Sequence, residues 1–124
     1  MHPLHKLHVY GQAQALAALC RTHCMHLEDR DLRWQLMRAV RSIAANLAEG
    51  AGSETQATFA RYIAIALASA KETECHLAFA RESKLLSQAQ YQELLGALNR
   101  LTPRLVALLA SVRQNAKRRT RETP

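Results

Sequence analysis

The chain predicts an all-α protein, an antiparallel up-down four-helix bundle, and three observations carry that expectation. Apolar residues recur three and four positions apart in four successive segments. The joints between the segments are short and hold cap-forming residues, and short joints between long helices force antiparallel neighbours. With 124 residues but only four Gly and three Pro, and no alternating run of useful length, a strand-rich or loop-dominated fold has no support.

The first helix, about residues 4–27, rests on Val9, Ala13, Leu16, Cys20, His23 and Leu27, among frequent polar residues. Glu28-Asp29-Arg30-Asp31 breaks the rhythm, and either Asp can accept from the free amides of the next helix. The second helix, about 31–49, is lined by Leu32, Leu36, Val40, Ile43 and Leu47. Gly50 and Gly52 follow it, where a positive φ is cheap only for Gly.

Ser53-Glu54-Thr55-Gln56 and Ser87-Gln88-Ala89-Gln90 both have the spacing of a capping box, which starts helix three at about 54–84 and helix four at about 88–116. Phe59, Ile63, Ala66, Ala70, Thr73, Leu77 and Ala80 line helix three; Tyr91, Leu94, Leu98, Leu101, Leu105, Leu108 and Val112 line helix four. A 3.5-residue repeat of this length marks helices packed nearly antiparallel in a bundle. Pro103 lies inside the fourth helix, and because the apolar phase continues past it, it reads as a kink and not a stop. Residues 1–112 therefore form the bundle, and 113–124 the end of helix four and a basic tail.

Helix three is dominated by alanine (Ala57, Ala60, Ala64, Ala66, Ala68 and Ala70). Small residues on several faces let helices approach closely, and one four-helix core cannot cover every side of one helix, so self-association is expected. The competing account is that alanine is simply the best helix former.

Several function classes drop out. The longest apolar runs, 63–68 and 105–110, are six residues each, against the ~20 that cross a bilayer. The N-terminus lacks the apolar stretch of a secretory signal, and three cysteines are too few for a disulfide scaffold, so a cytoplasmic, non-membrane protein is expected. No Glu is followed three residues on by His, as di-iron bundles require. No Gly-rich phosphate loop occurs, and Glu72 and Glu74 point apart on their helix. The expectation is a non-enzyme without a cofactor.

The charge is uneven. The last twelve residues carry +4 of the formal +7, through Arg113, Lys117, Arg118, Arg119 and Arg121 against Glu122. With Arg30, Arg33, Arg38 and Arg41 on helix two, these are the candidate nucleic-acid-binding residues, RNA or DNA being the polyanion. Trp34 stacks on a base in that reading, or anchors a subunit interface under Arg38. Cys20, His23 and Cys24 share one helical face and are weak zinc candidates, without the paired spacing of a zinc motif; His2, His5 and His8 are weaker still.

The run Gln35-Leu36-Met37-Arg38-Ala39-Val40-Arg41-Ser42-Ile43-Ala44-Ala45-Asn46-Leu47-Ala48-Glu49-Gly50 resembles the signature of a bacterial four-helix-bundle family. Its members include proteins encoded by intervening sequences in large-subunit ribosomal RNA genes. Phe59-Ala60-Arg61-Tyr62-Ile63-Ala64-Ile65-Ala66-Leu67-Ala68-Ser69, with Glu72 and Leu77, resembles the second signature of that family. The family pattern usually has proline where Ala44 stands.

The resemblance implies a cytosolic, non-enzymatic bundle that assembles as a homo-oligomeric ring, a pentamer. A related branch, the accessory variability proteins of diversity-generating retroelements, adds a reverse transcriptase and nucleic acid as partners. The family-matched polar set is Arg38, Ser42, Asn46 and Glu49 on helix two with Ser69 and Glu72 on helix three. It reads as a structural network that meets across the helix interface, or as an anion or partner site. Two functions follow: a nucleic-acid-associated or scaffolding protein, and a purely structural assembly whose basic residues serve solubility and subunit contacts.

Overall fold

The computed structural model describes residues 7–122. Four helices run in order, α1 (His8–Cys24), α2 (Arg30–Ala51), α3 (Gln56–Glu82) and α4 (Gln88–Glu122). Each packs on its two neighbours around the bundle; α2 with α3 is the most extensive seam and α1 with α4 the least. Among the described residues neither diagonal pair, α1 with α3 or α2 with α4, brings its backbones as close as the neighbouring pairs do. The expected start of helix one, at residues 4–6, lies outside the described residues.

Side-chain caps mark the starts of α2, α3 and α4, whereas α1 follows Leu7 without one. Asp29 supplies the α2 cap, its Oδ1 accepting from the Leu32 amide at 2.9 Å. For α3 the expected cap is corrected: Thr55, not Ser53, accepts from the Thr58 amide at 3.1 Å. Ser53 Oγ instead donates to the Gly50 carbonyl at 2.6 Å, closing the end of α2. The chain needs these two extra residues to reverse direction before the next helical turn. At α4 the capping box forms in both directions, Gln90 N to Ser87 Oγ at 3.1 Å and Ser87 N to Gln90 Oε1 at 3.0 Å.

Gly50 does not stop α2 by a positive φ, because no described glycine has one. It lies inside the helix, and a Cβ there would stand 2.7 Å from the Tyr62 Cβ and 2.9 Å from the Phe59 ring. Its role is close approach of α2 to α3. The positive φ falls at Lys84 (60°), in the α3–α4 turn, where the Leu85 amide reaches back to the Ala80 carbonyl at 2.9 Å.

The seven residues expected to line α3 are all buried, with Phe59, Ile63 and Leu77 at 1% exposure or less. On α4 the stripe shifts after Pro103, because Leu109 is buried and Leu108 only partly so. The helix continues through Pro103, which faces solvent, and Thr102 Oγ1 donates to the Leu98 carbonyl at 3.0 Å beside it. It also continues beyond residue 116 to Glu122, so the segment expected as a tail is helical. Arg119 and Arg121 in its last turn favour this through the negative end of the helix dipole. No described helix is long and apolar enough to cross a membrane.

Candidate nucleic-acid and self-association surfaces

The basic end of α4 is ordered by helical geometry. Arg113, Lys117, Arg118 and Arg121 are exposed and, with Ala110 and Gln114, line one shallow hollow on a single side of the helix. Arg113, Lys117 and Arg121 step by four residues, about 6 Å of rise each, close to the spacing of phosphates along an extended strand. None of these four cations has an ion-pair partner among the described residues. Arg119 stands apart, beside Thr55, Gln56 and Ala57 at the start of α3.

The arginines of α2 are placed differently. Arg33 donates to the Leu27 carbonyl at 3.0 Å and so ties the α1–α2 turn to its helix. The Arg38 guanidinium lies 5.6 Å from the centre of the Trp34 ring. Trp34 is 61% exposed, and Arg30 and Arg41 are exposed. These residues begin at the α1–α2 end of the bundle, whereas the α4 cations lie at the other end. α2 spans 22 residues, about 33 Å of helix, and the two helices are not neighbours. The structure thus divides eight of the nine candidate cations between two surfaces and sets Arg119 apart from both.

Within the polar set, Ser42, Asn46 and Glu72 find partners along their own helices. Ser42 Oγ donates to the Ala39 carbonyl at 2.8 Å, and Asn46 Nδ2 donates to the Ser42 carbonyl at 2.7 Å. Glu49 is exposed; Ser69 is buried, and its carbonyl accepts from Thr73 Oγ1 at 2.8 Å. Glu72 Oε1 faces His76 Nε2 one turn on at 3.4 Å. Among the described residues no hydrogen bond joins the α2 members to Glu72.

The three weak metal candidates do not converge. Cys20 and Cys24 are fully buried, and a hydrogen bond to Cys24, with burial second, pushes the Cys20 thiol up. His23 turns to α4 and meets Glu93 Oε2 at 3.0 Å. No group of three His, Cys, Asp or Glu among the described residues has metal-site geometry. His2 and His5 lie outside them.

Sequence reasoning missed the His23–Glu93 pair, since a His at 3–4 spacing looks like any other core-facing residue. It also missed a second stripe on α3, where Ile65 (42% exposed) and Phe79 (54%) face outward with Glu72 between them. The signal was available, since 65, 72 and 79 repeat every seven residues.

Residues 5–107 match the family described as 23S rRNA-intervening sequence protein. The chain belongs to that family. It is a non-catalytic family. A crystal structure from Bacteroides thetaiotaomicron, of a protein with unknown function from the S23 ribosomal protein family, is similar in fold. It is 21% identical, with a TM-score of 0.75 over 82% of this chain and 95% of the other. No curated protein matches. Family and fold agree with the resemblance of the α2 and α3 signatures.

Proposed function

We propose that this 23S rRNA-intervening sequence family member is a self-assembling, cytoplasmic scaffold that associates with nucleic acid through its basic surfaces. The observation that carries the reading is the α4 stripe of Arg113, Lys117, Arg118 and Arg121, four cations aligned on one side of a helix with no ion-pair partner among the described residues. Such a stripe contacts phosphates without reading bases, because no aromatic or amide platform accompanies it except Gln114. Arg30, Arg33, Arg38 and Arg41 form a separate surface, in which Trp34 serves as an interface anchor. A homo-oligomeric ring, five subunits in the resemblance, brings several α4 stripes together and multiplies weak contacts. A reverse transcriptase is the protein partner that the retroelement branch offers.

The experiment is binding of the full chain to single-stranded RNA and to duplex DNA at rising salt. Four phosphate contacts predict a fall of about 50-fold to 150-fold in affinity between 50 and 200 mM salt. Absence of binding to either polymer at 50 mM salt overturns the nucleic-acid reading and leaves the purely structural assembly.

A further inference from the structure

Two exposed faces of this chain complement one another. The first is the α1–α2 face, where three adjoining hollows share Met37. Its apolar floor is made of Met25, Trp34 and Met37 with Ala17 and Ala44. Arg21, Arg30, Arg33, Arg38 and Arg41 rim it, against the single carboxylate of Asp31. The second face is the outer stripe of α3, Ile65, Ala68, Glu72, Cys75, Phe79 and Glu82, which steps by 3 and 4 in alternation. That stripe is separate from the residues that α3 gives to the core.

Set antiparallel, the two faces agree position by position. The outer positions of α2 are Arg30, Trp34, Arg38, Arg41, Ala45 and Ala48, stepping by 4, 4, 3, 4 and 3. Read against α3 in reverse, Arg30 falls opposite Glu82, Trp34 opposite Phe79 and Arg41 opposite Glu72. Farther along, Ala45 falls opposite Ala68 and Ala48 opposite Ile65. Aromatic meets aromatic, cation meets carboxylate at two separate turns, and the alanines permit close helix approach.

We infer that the Trp34 face of α2 docks the outer stripe of α3 from a second copy of this chain, with Trp34 against Phe79 and Arg41 against Glu72. This rests on the assembly part of the proposed function. The two contacting faces differ, so the contact is heterologous. Because α2 and α3 are already antiparallel within each bundle, it relates copies whose bundle axes run the same way, and rotation can close it into a ring.

The test is the solution mass of the full chain by sedimentation equilibrium, for the wild type, R41E, E72R and the double variant R41E/E72R, with helicity checked by circular dichroism. The wild type is expected to be multimeric, each single swap to weaken self-association about ten-fold or more, and the double swap to restore it. Disulfide trapping is a second measurement, using the exposed native Cys75 opposite position 38. R38C is expected to give intermolecular disulfides on mild oxidation, and R38C/C75S none.

A monomeric wild type overturns the assembly reading and this inference together. A multimeric wild type that neither single swap affects, or that R38C fails to cross-link through Cys75, overturns only this interface. Failure of the double swap to restore the mass of either single variant does the same.

Discussion

The first turns of α2 and the last turns of α4 carry the same kind of residue and use it in opposite ways. In α2 two of the four arginines have work within the chain, Arg33 on the Leu27 carbonyl and Arg38 over Trp34, while Arg30 and Arg41 are exposed. In α4, Arg113, Lys117, Arg118 and Arg121 have no ion-pair partner among the described residues and share one side of the helix. A count of basic residues treats the two groups alike. Their surroundings separate Arg33 and Arg38, which hold a turn and a ring in place, from four α4 cations that have no ion-pair partner among the described residues.

The contrast breaks first on α4. Replacing Arg113, Lys117, Arg118 and Arg121 together with Gln is expected to abolish most nucleic-acid affinity and cut the salt slope by about 3, measured by fluorescence anisotropy. Thermal stability should move by no more than about 0.5 kcal/mol, as for ordinary surface positions. If RNA binding survives this change and fails in R30Q/R41Q, the assignment of the two surfaces is reversed.

Within α2 the largest effect on stability is expected from its inner side. Gly50→Val is expected to cost about 1–3 kcal/mol in urea unfolding, because the added carbons collide with Tyr62 and Phe59. At the outer side, Arg33→Ala removes a charge-assisted bond to a carbonyl and is expected to cost about 1 kcal/mol. Nucleic-acid binding should stay within about two-fold of wild type. A control away from both surfaces completes the series. Lys84→Gly relieves a left-handed backbone and should raise stability by about 0.5 kcal/mol, read as a shift in the urea midpoint.

Much of this fold was legible, and the reasons differ by element. In α3 the stripe from Phe59 to Ala80 was readable because a helix buried against two neighbours repeats its apolar residues without interruption. The α3 cap was misassigned because Ser53 and Thr55 offer equivalent hydroxyls, and the length of the turn decides which one is used. Gly50 signalled a backbone need, but the need was space for Phe59 and Tyr62, a tertiary fact. The shift from Leu108 to Leu109 is the ordinary drift of a 3.6-residue helix away from a strict 3.5-residue repeat.

The candidate surfaces were less legible. Arg33 and Arg118 look identical in sequence, and only the Leu27 carbonyl beside the first distinguishes them. The outer stripe of α3 was hidden because its spacing matches that of the core stripe beside it, with polar Glu72 among its members. His23 needed the position of Glu93, seventy residues away, to show its direction.

Cys20 and Cys24 make the inside of α1 a clock. Both thiols are sealed at 0% exposure, so an alkylating reagent reaches them only when that helix lifts from its neighbours, whereas Cys75 is exposed on the single chain and opens to the reagent whenever copies separate. The ratio of slow to fast labelling in one tube therefore reports how often the least firmly seated helix comes away, and anything that clasps the α1–α2 face will slow the hidden pair while leaving untouched any outward thiol it does not cover.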